Sequence, residues 1–170
     1  MKRGSYYLVF ALLAVVQMVL CNYFTFTPYI VLSILPVMVL TIPIRLNTIW
    51  TMCIAFVTGL AVDLLAEGLI GLNAVALVPV AFARNGILSL VFGEELFSRK
   101  EDFSVHKSGL GKVILSIVIA QALFLLIYIW VDGAGVRSAG FNIARFFLSL
   151  LTSSIVSLFV INSLAPDHRK

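Results

Sequence analysis

Six stretches of this chain, residues 6–23, 29–44, 49–66, 69–83, 113–131 and 143–164, carry only two charged side chains between them, Asp63 and Arg145. A helix that crosses a bilayer needs about 20 predominantly apolar residues. Four of these stretches meet that length or approach it, and two are shorter and contain prolines: Pro36 and Pro43 in 29–44, and Pro79 in 69–83. The pattern predicts an all-α integral membrane protein, a bundle of six transmembrane helices forming a single domain over residues 1–170. Proline inside such a helix kinks it and frees carbonyls that neighbouring helices must satisfy.

Composition supports the same reading. The 170 residues are 61% hydrophobic and 12% charged, with a mean hydropathy of +1.09. Soluble domains are about 45–50% apolar and about 25% charged, so this chain has too little polar surface to face water on all sides. Residues 6–20 are followed by no small-residue cleavage pattern. Leu20 is too bulky ahead of Cys21 for lipoprotein processing, so the first stretch reads as a retained span.

Positive charge gives the orientation. With the N-terminus inside, Lys2, Arg3, Arg45, Arg84, Arg99, Lys100, Lys107, Lys112, Arg169 and Lys170 fall on the cytoplasmic side, and only Arg137 and Arg145 on the other. That asymmetry follows the positive-inside rule and favours an even number of crossings, with both termini in the cytoplasm of a cell with a bacterial-type inner membrane. Tyr6, Tyr7, Tyr29, Trp50 and Trp130 fall near the expected interfaces, where aromatic belts form. The net charge of +4 is spread over separate cytoplasmic segments, a poor footprint for nucleic acid and a reasonable one for anionic lipid. The apolar residues within 87–97 predict a helical extension of the fourth span to about residue 92, or a separate interfacial helix.

Few residues carry chemistry. Cys21 and Cys53 sit in apolar runs, and His106 and His168 lack partners at ligand spacing, so no metal site and no cofactor is expected. No catalytic constellation or phosphate-binding loop is present in the pattern, which disfavours an enzyme. Asp63 is the most informative residue. Gly59, Asp63 and Glu67 are spaced four apart and drift along one helix face. A carboxylate within a span costs about 2.5–3.5 kcal/mol at the centre, so it faces protein or water, either as a functional polar site or as a local cap near the outer interface. Gly59 with Ala55 suggests a tight crossing against a neighbouring helix. Arg84, ending the fourth span, is expected to snorkel to the cytoplasmic surface. Glu67, Asp132 and Arg145 fall at one level and form a candidate outer-face polar cluster. Gln17 and Gln121 are expected to hydrogen-bond between helices. Ser149, Thr152, Ser153, Ser154 and Ser157 are expected to pack the last span closely.

Two short patterns then take on a family look. Thr25-Phe26-Thr27-Pro28-Tyr29-Ile30 opens a proline-bearing second span. Gly59-Leu60-Ala61-Val62-Asp63-Leu64 is followed by Gly71-Leu72-Asn73-Ala74 and an apolar run to Arg84. The chain resembles the bacterial rod shape-determining protein MreD family, with the specific motif confined to residues 59–84. The family commonly has histidine where Asn73 stands, a residue that can hydrogen-bond but cannot titrate. The resemblance implies a fold similar to the substrate-binding subunits of energy-coupling-factor transporters. It also implies a non-enzymatic scaffold of the elongation machinery, helping direct lateral peptidoglycan synthesis and rod shape. The implied partners are MreC, RodA with its transpeptidase, and MreB through cytoplasmic loops. Gly59, Asp63, Gly71, Asn73 and Arg84 are the implied partner-binding or structural residues. The alternative is a substrate-binding subunit of a vitamin-type transporter, against which Ala11 and Ala14 are off the Ala-x-x-x-Ala docking spacing. A carrier coupled through Asp63 is weaker still, without a second buried charge or paired interrupted helices.

Overall fold

The computed structural model describes residues 3–23, 29–44, 46–67, 70–93, 109–133 and 137–164. The link 24–28, the polar stretch 94–108 with His106, and the last six residues with His168 lie outside them.

Every element among the described residues is helical: α1 Arg3–Tyr23, α2 Leu35–Thr41, α3 Thr48–Val62 with a π-helical turn Asp63–Glu67, α4 Leu72–Phe92, α5 Leu110–Gly133 and α6 Ala139–Leu164. Four helices are long and apolar enough to cross a membrane, Thr48–Ala66, Leu72–Phe92, Leu110–Gly133 and Ala139–Ile161, and they mark the chain as a membrane protein. Consecutive long helices pack side by side, α3 on α4, α4 on α5 and α5 on α6. Their exposed faces are apolar, with Phe56, Val57, Phe82, Leu126, Phe147, Leu151 and Phe159 turned outward. Such a surface is stable only against lipid or protein.

The centre of the bundle is α2. Residues 33–40 are all buried, and α2 packs chiefly against α4 and α5 with α1 and α3 alongside. A helix enclosed on all sides must be apolar all round, which Leu35-Pro36-Val37-Met38-Val39-Leu40 is. Pro36 is tolerated because it lies in the first turn, where a missing N–H costs no intrahelical bond.

One boundary differs from the sequence reading, and another takes one of its two expected forms. The stretch 29–44, expected as one kinked helix, is helical only over Leu35–Thr41, and residues 30–34 run as irregular backbone. The fourth span takes the longer of its two expected forms, a continuous helix to Phe92 that ends at Gly93 with φ 74°. A positive φ is a conformation that glycine adopts without a Cβ penalty, so the helix can end there.

The irregular stretch changes what 29–44 can reach. Sixteen helical residues rise about 24 Å, short of a hydrocarbon core of about 30 Å. Val31 and Ser33 pair with Ser149 and Ser153, which lie one helical turn apart on α6. These pairs hold the irregular backbone along α6, and non-helical backbone can rise up to about 3.3 Å per residue against about 1.5 Å in a helix.

Candidate functional site: the corner of α3 and α4 and the clasped segment

The site is built by the junction of α3 and α4. Gly71 precedes α4 with φ 98°, a left-handed conformation that glycine adopts without a Cβ penalty. Glycine has no side chain with which to cap the helix it starts, and the first N–H groups of any helix need an acceptor. Asp63 supplies it from the end of the preceding helix. Its Oδ2 accepts from Gly71 N at 2.9 Å and from Ala74 N at 3.3 Å. Its Oδ1 accepts from Asn73 N at 3.0 Å and from Asn73 Nδ2 at 2.9 Å. The carboxylate is fully buried. A negative group at the positive end of a helix is favourable, by up to about 2 kcal/mol where partly buried. Each hydrogen bond to a charged group adds about 1.5–3 kcal/mol, and together these offset the desolvation of the carboxylate.

Gly59, one turn before Asp63, explains how α4 comes so close. A Cβ there would lie 2.6 Å from Ala74 Cα and 2.7 Å from Ala74 N, against backbone that cannot swing away. The expected tight crossing of α3 is therefore made against the first turn of α4. Gly59 permits the approach, Asp63 closes it, Gly71 provides the turn, and Asn73 adds a side-chain donor. Four of the five residues singled out in the motif form one latch.

Arg84, the fifth, is elsewhere and corrects an expectation. It does not snorkel to the surface. It is 1% exposed, and its Nη2 donates to the carbonyl of Ile42, the residue that ends α2. The freed carbonyl at the end of a short buried helix takes a guanidinium donor from α4, so Arg84 ties α4 to the central helix. Hydropathy treats an arginine at a span's end as an interfacial charge; burial against a backbone carbonyl leaves no mark in that profile.

A second polar region surrounds residues 31–34, where irregular backbone lies within the apolar bundle. Non-helical backbone at such depth persists only when protein groups satisfy it. The N–H of Val31 donates to Ser149 Oγ at 2.8 Å, and that of Ser33 to Ser153 Oγ at 3.2 Å. Ser153 Oγ in turn donates to the Val31 carbonyl at 2.9 Å. Gln17 of α1 accepts from Ile34 N at 2.7 Å and donates to the Leu32 carbonyl at 3.3 Å. Gln121 of α5 donates to the Ser33 carbonyl at 2.8 Å. Gln17, Gln121, Ser149 and Ser153 thus clasp a backbone segment, where the sequence suggested bonds between helices and close packing. Gln17 and Gln121 are visible in the sequence as polar residues in apolar spans, but their target is not. The available signals are Pro36, the shortness of 29–44, and serines at 149, 153 and 157, one face of a helix.

The expected outer-face cluster forms in part. Asp132, at the end of α5, pairs with Arg145 of α6 and also with Arg137, which sequence reasoning left out of the cluster, at 2.9 Å. Glu67 closes the π-helical turn after α3, and its side chain lies outside the described ones. Among the described residues no group of three His, Cys, Asp or Glu side chains is placed to hold a metal ion.

Fold and site together define the class of an all-helical membrane protein with a buried acidic latch. No family model, curated protein or solved structure matches the chain.

Proposed function

We propose that the chain is a non-enzymatic scaffold of the bacterial elongation machinery, a protein of the MreD kind. On this reading it crosses the inner membrane six times with both termini in the cytoplasm. It binds MreC, works beside RodA with its transpeptidase and the cytoskeletal MreB, and helps direct lateral peptidoglycan synthesis and rod shape. The crossings are the four long apolar helices, α1 with its 21 residues, and the segment 29–44 with its irregular half.

The observation that carries the reading is the state of Asp63. Both oxygens are occupied by donors of α4's first turn, and they come from the same residues that carry the family resemblance: Gly71, Asn73 and Ala74. A carboxylate committed in this way holds two helices in one geometry. Asn73 in place of histidine fits that role, since its Nδ2 donates to Asp63 and needs no titration. The vitamin-transporter reading gains no comparable support.

Affinity purification of the tagged full chain from native membranes, with the co-purifying proteins identified, tests the proposal. Recovery of MreC and the RodA–transpeptidase pair is expected. Recovery of transporter energising subunits, or of a small molecule at stoichiometry, overturns it.

A further inference from the structure

Among the described side chains, the rim where α5 ends and α6 begins carries more positive than negative charge. Asp132 Oδ2 accepts from both Arg137 Nη1 and Arg145 Nη1. Arg145 is 8% exposed, and a buried guanidinium needs a counter-charge at hand, so Asp132 is its partner first. Arg137 shares that same oxygen, but its side chain is 37% exposed. Among the described side chains the corner therefore holds two cations and one anion. Donors remain unused as well: Arg145 Nε has no hydrogen-bond partner, and Arg137 commits only one nitrogen to Asp132. The Arg137 guanidinium sits 5.5 Å from the centroid of the Phe141 ring, which fixes it at the rim rather than leaving it to wander in solvent.

The surroundings say what kind of anion fits. Tyr29 packs on Phe141 with ring centroids 4.8 Å apart and is exposed, and Trp130, two residues before Asp132, is 79% exposed. Exposed tyrosine and tryptophan at the ends of apolar helices mark the headgroup level of a bilayer. Along α6 from this rim, Ile143, Phe147, Leu151 and Ile155 are exposed at every fourth position, an apolar strip about half a turn around the helix from Phe141 and Arg145. A cation at headgroup level, at the head of a helix with an exposed apolar flank, matches a molecule with a phosphate at one end and acyl chains below it. Guanidinium groups bind phosphate with geometric specificity.

We propose that Arg137, with the Asp132–Arg145 pair behind it, binds the phosphate of an anionic phospholipid whose acyl chain lies along α6. On the six-crossing topology proposed above, the site lies on the non-cytoplasmic face. It rests on the membrane reading of the fold and not on the identity of any protein partner. Arg137 makes the contact, and Arg145 is a positioning residue that neutralises Asp132 and so leaves Arg137's charge available.

The test uses the full chain in nanodiscs of phosphatidylcholine containing a photoactivatable phosphatidylglycerol, with labelled peptides mapped by mass spectrometry. Labelling is expected within residues 130–148. Arg137→Gln should lower it about fivefold, the effect of one cation near an anionic headgroup, while labelling of the cytoplasmic segments stays unchanged. Arg137→Lys should keep most of the labelling, which separates loss of charge from loss of structure. Equal labelling in Arg137→Gln overturns the proposal. So does equal labelling of this peptide by a phosphatidylcholine analogue. Displacement by inorganic phosphate alone makes it a free-anion site, and displacement only by an acidic protein segment makes it a protein contact; either result overturns the lipid assignment.

Discussion

Two regions of this protein solve the same problem by opposite means. Both place side-chain oxygens against backbone N–H groups that have no backbone partner inside an apolar bundle. The α3–α4 latch does it with one buried carboxylate, reaching donors 8 to 11 residues away in the chain. The clasp around residues 31–34 does it with neutral side chains from α1, α5 and α6, as far as 122 residues away. In the latch a single group serves four donors, so the loss of one residue strips the start of α4. In the clasp each side chain serves one or two groups, so the loss is divided. A charged latch concentrates stability at one corner, and a neutral clasp spreads it over three helices.

The sharpest break of this comparison is Asp63→Ala. It leaves the N–H groups of Gly71, Asn73 and Ala74 buried without their acceptor, and a loss of about 3–4 kcal/mol is expected. Thermal unfolding in detergent, followed by the fluorescence of Trp50 and Trp130, reads it. Asp63→Asn, which keeps an acceptor oxygen but brings its own donors, should lose about half as much. Gly59→Ala comes next. Its new methyl group meets the Ala74 backbone, so the helices must separate, at about 2–3 kcal/mol. The same unfolding measurement checks it, and an unchanged midpoint would show that the close approach of α4 is not needed.

In the clasp the expected effects are smaller. Gln17→Leu leaves Ile34 N without an acceptor and should cost about 1–2 kcal/mol. Ser153→Ala removes a hydroxyl that bridges Ser33 N and Val31 O, and about 0.6–1 kcal/mol is expected, close to what such bonds contribute between membrane helices. A double variant of Asp63→Asn with Gln17→Leu sharpens the contrast. The two sites share no partner, so their losses should add to within about 0.5 kcal/mol. A large coupling would show that latch and clasp form one unit.

How much of this was legible in the sequence follows from the same division. The latch is local. Gly59, Asp63, Gly71 and Asn73 lie within one helix–turn–helix, where periodicity and glycine placement are sufficient to bring them together. Even so, the choice between a functional acid and a cap required seeing which donors Asp63 faces. The long apolar runs gave the helices, and residues 87–92 extended α4 because nothing in them breaks a helix before Gly93. The clasp was not legible. An apolar run reads the same whether its backbone is helical or extended, and the difference rests on serines and glutamines contributed by distant helices. Arg84 misled because a charge at a span's end is usually interfacial, and only the packing of α2 offers it a buried carbonyl.

On the proposed topology, residues 29–44 cross the membrane although only Leu35–Thr41 is helical. Single-cysteine labelling with a membrane-impermeant maleimide tests it most directly, in a full chain whose Cys21 and Cys53 are replaced by serine. Asn22 and Asn47 flank this segment and are both exposed in the structure, and a crossing by residues 29–44 places them on opposite faces. Asn22→Cys should be labelled in spheroplasts from outside, and Asn47→Cys only after the membrane is permeabilised. Labelling of both positions from the same side of an intact membrane would contradict the account.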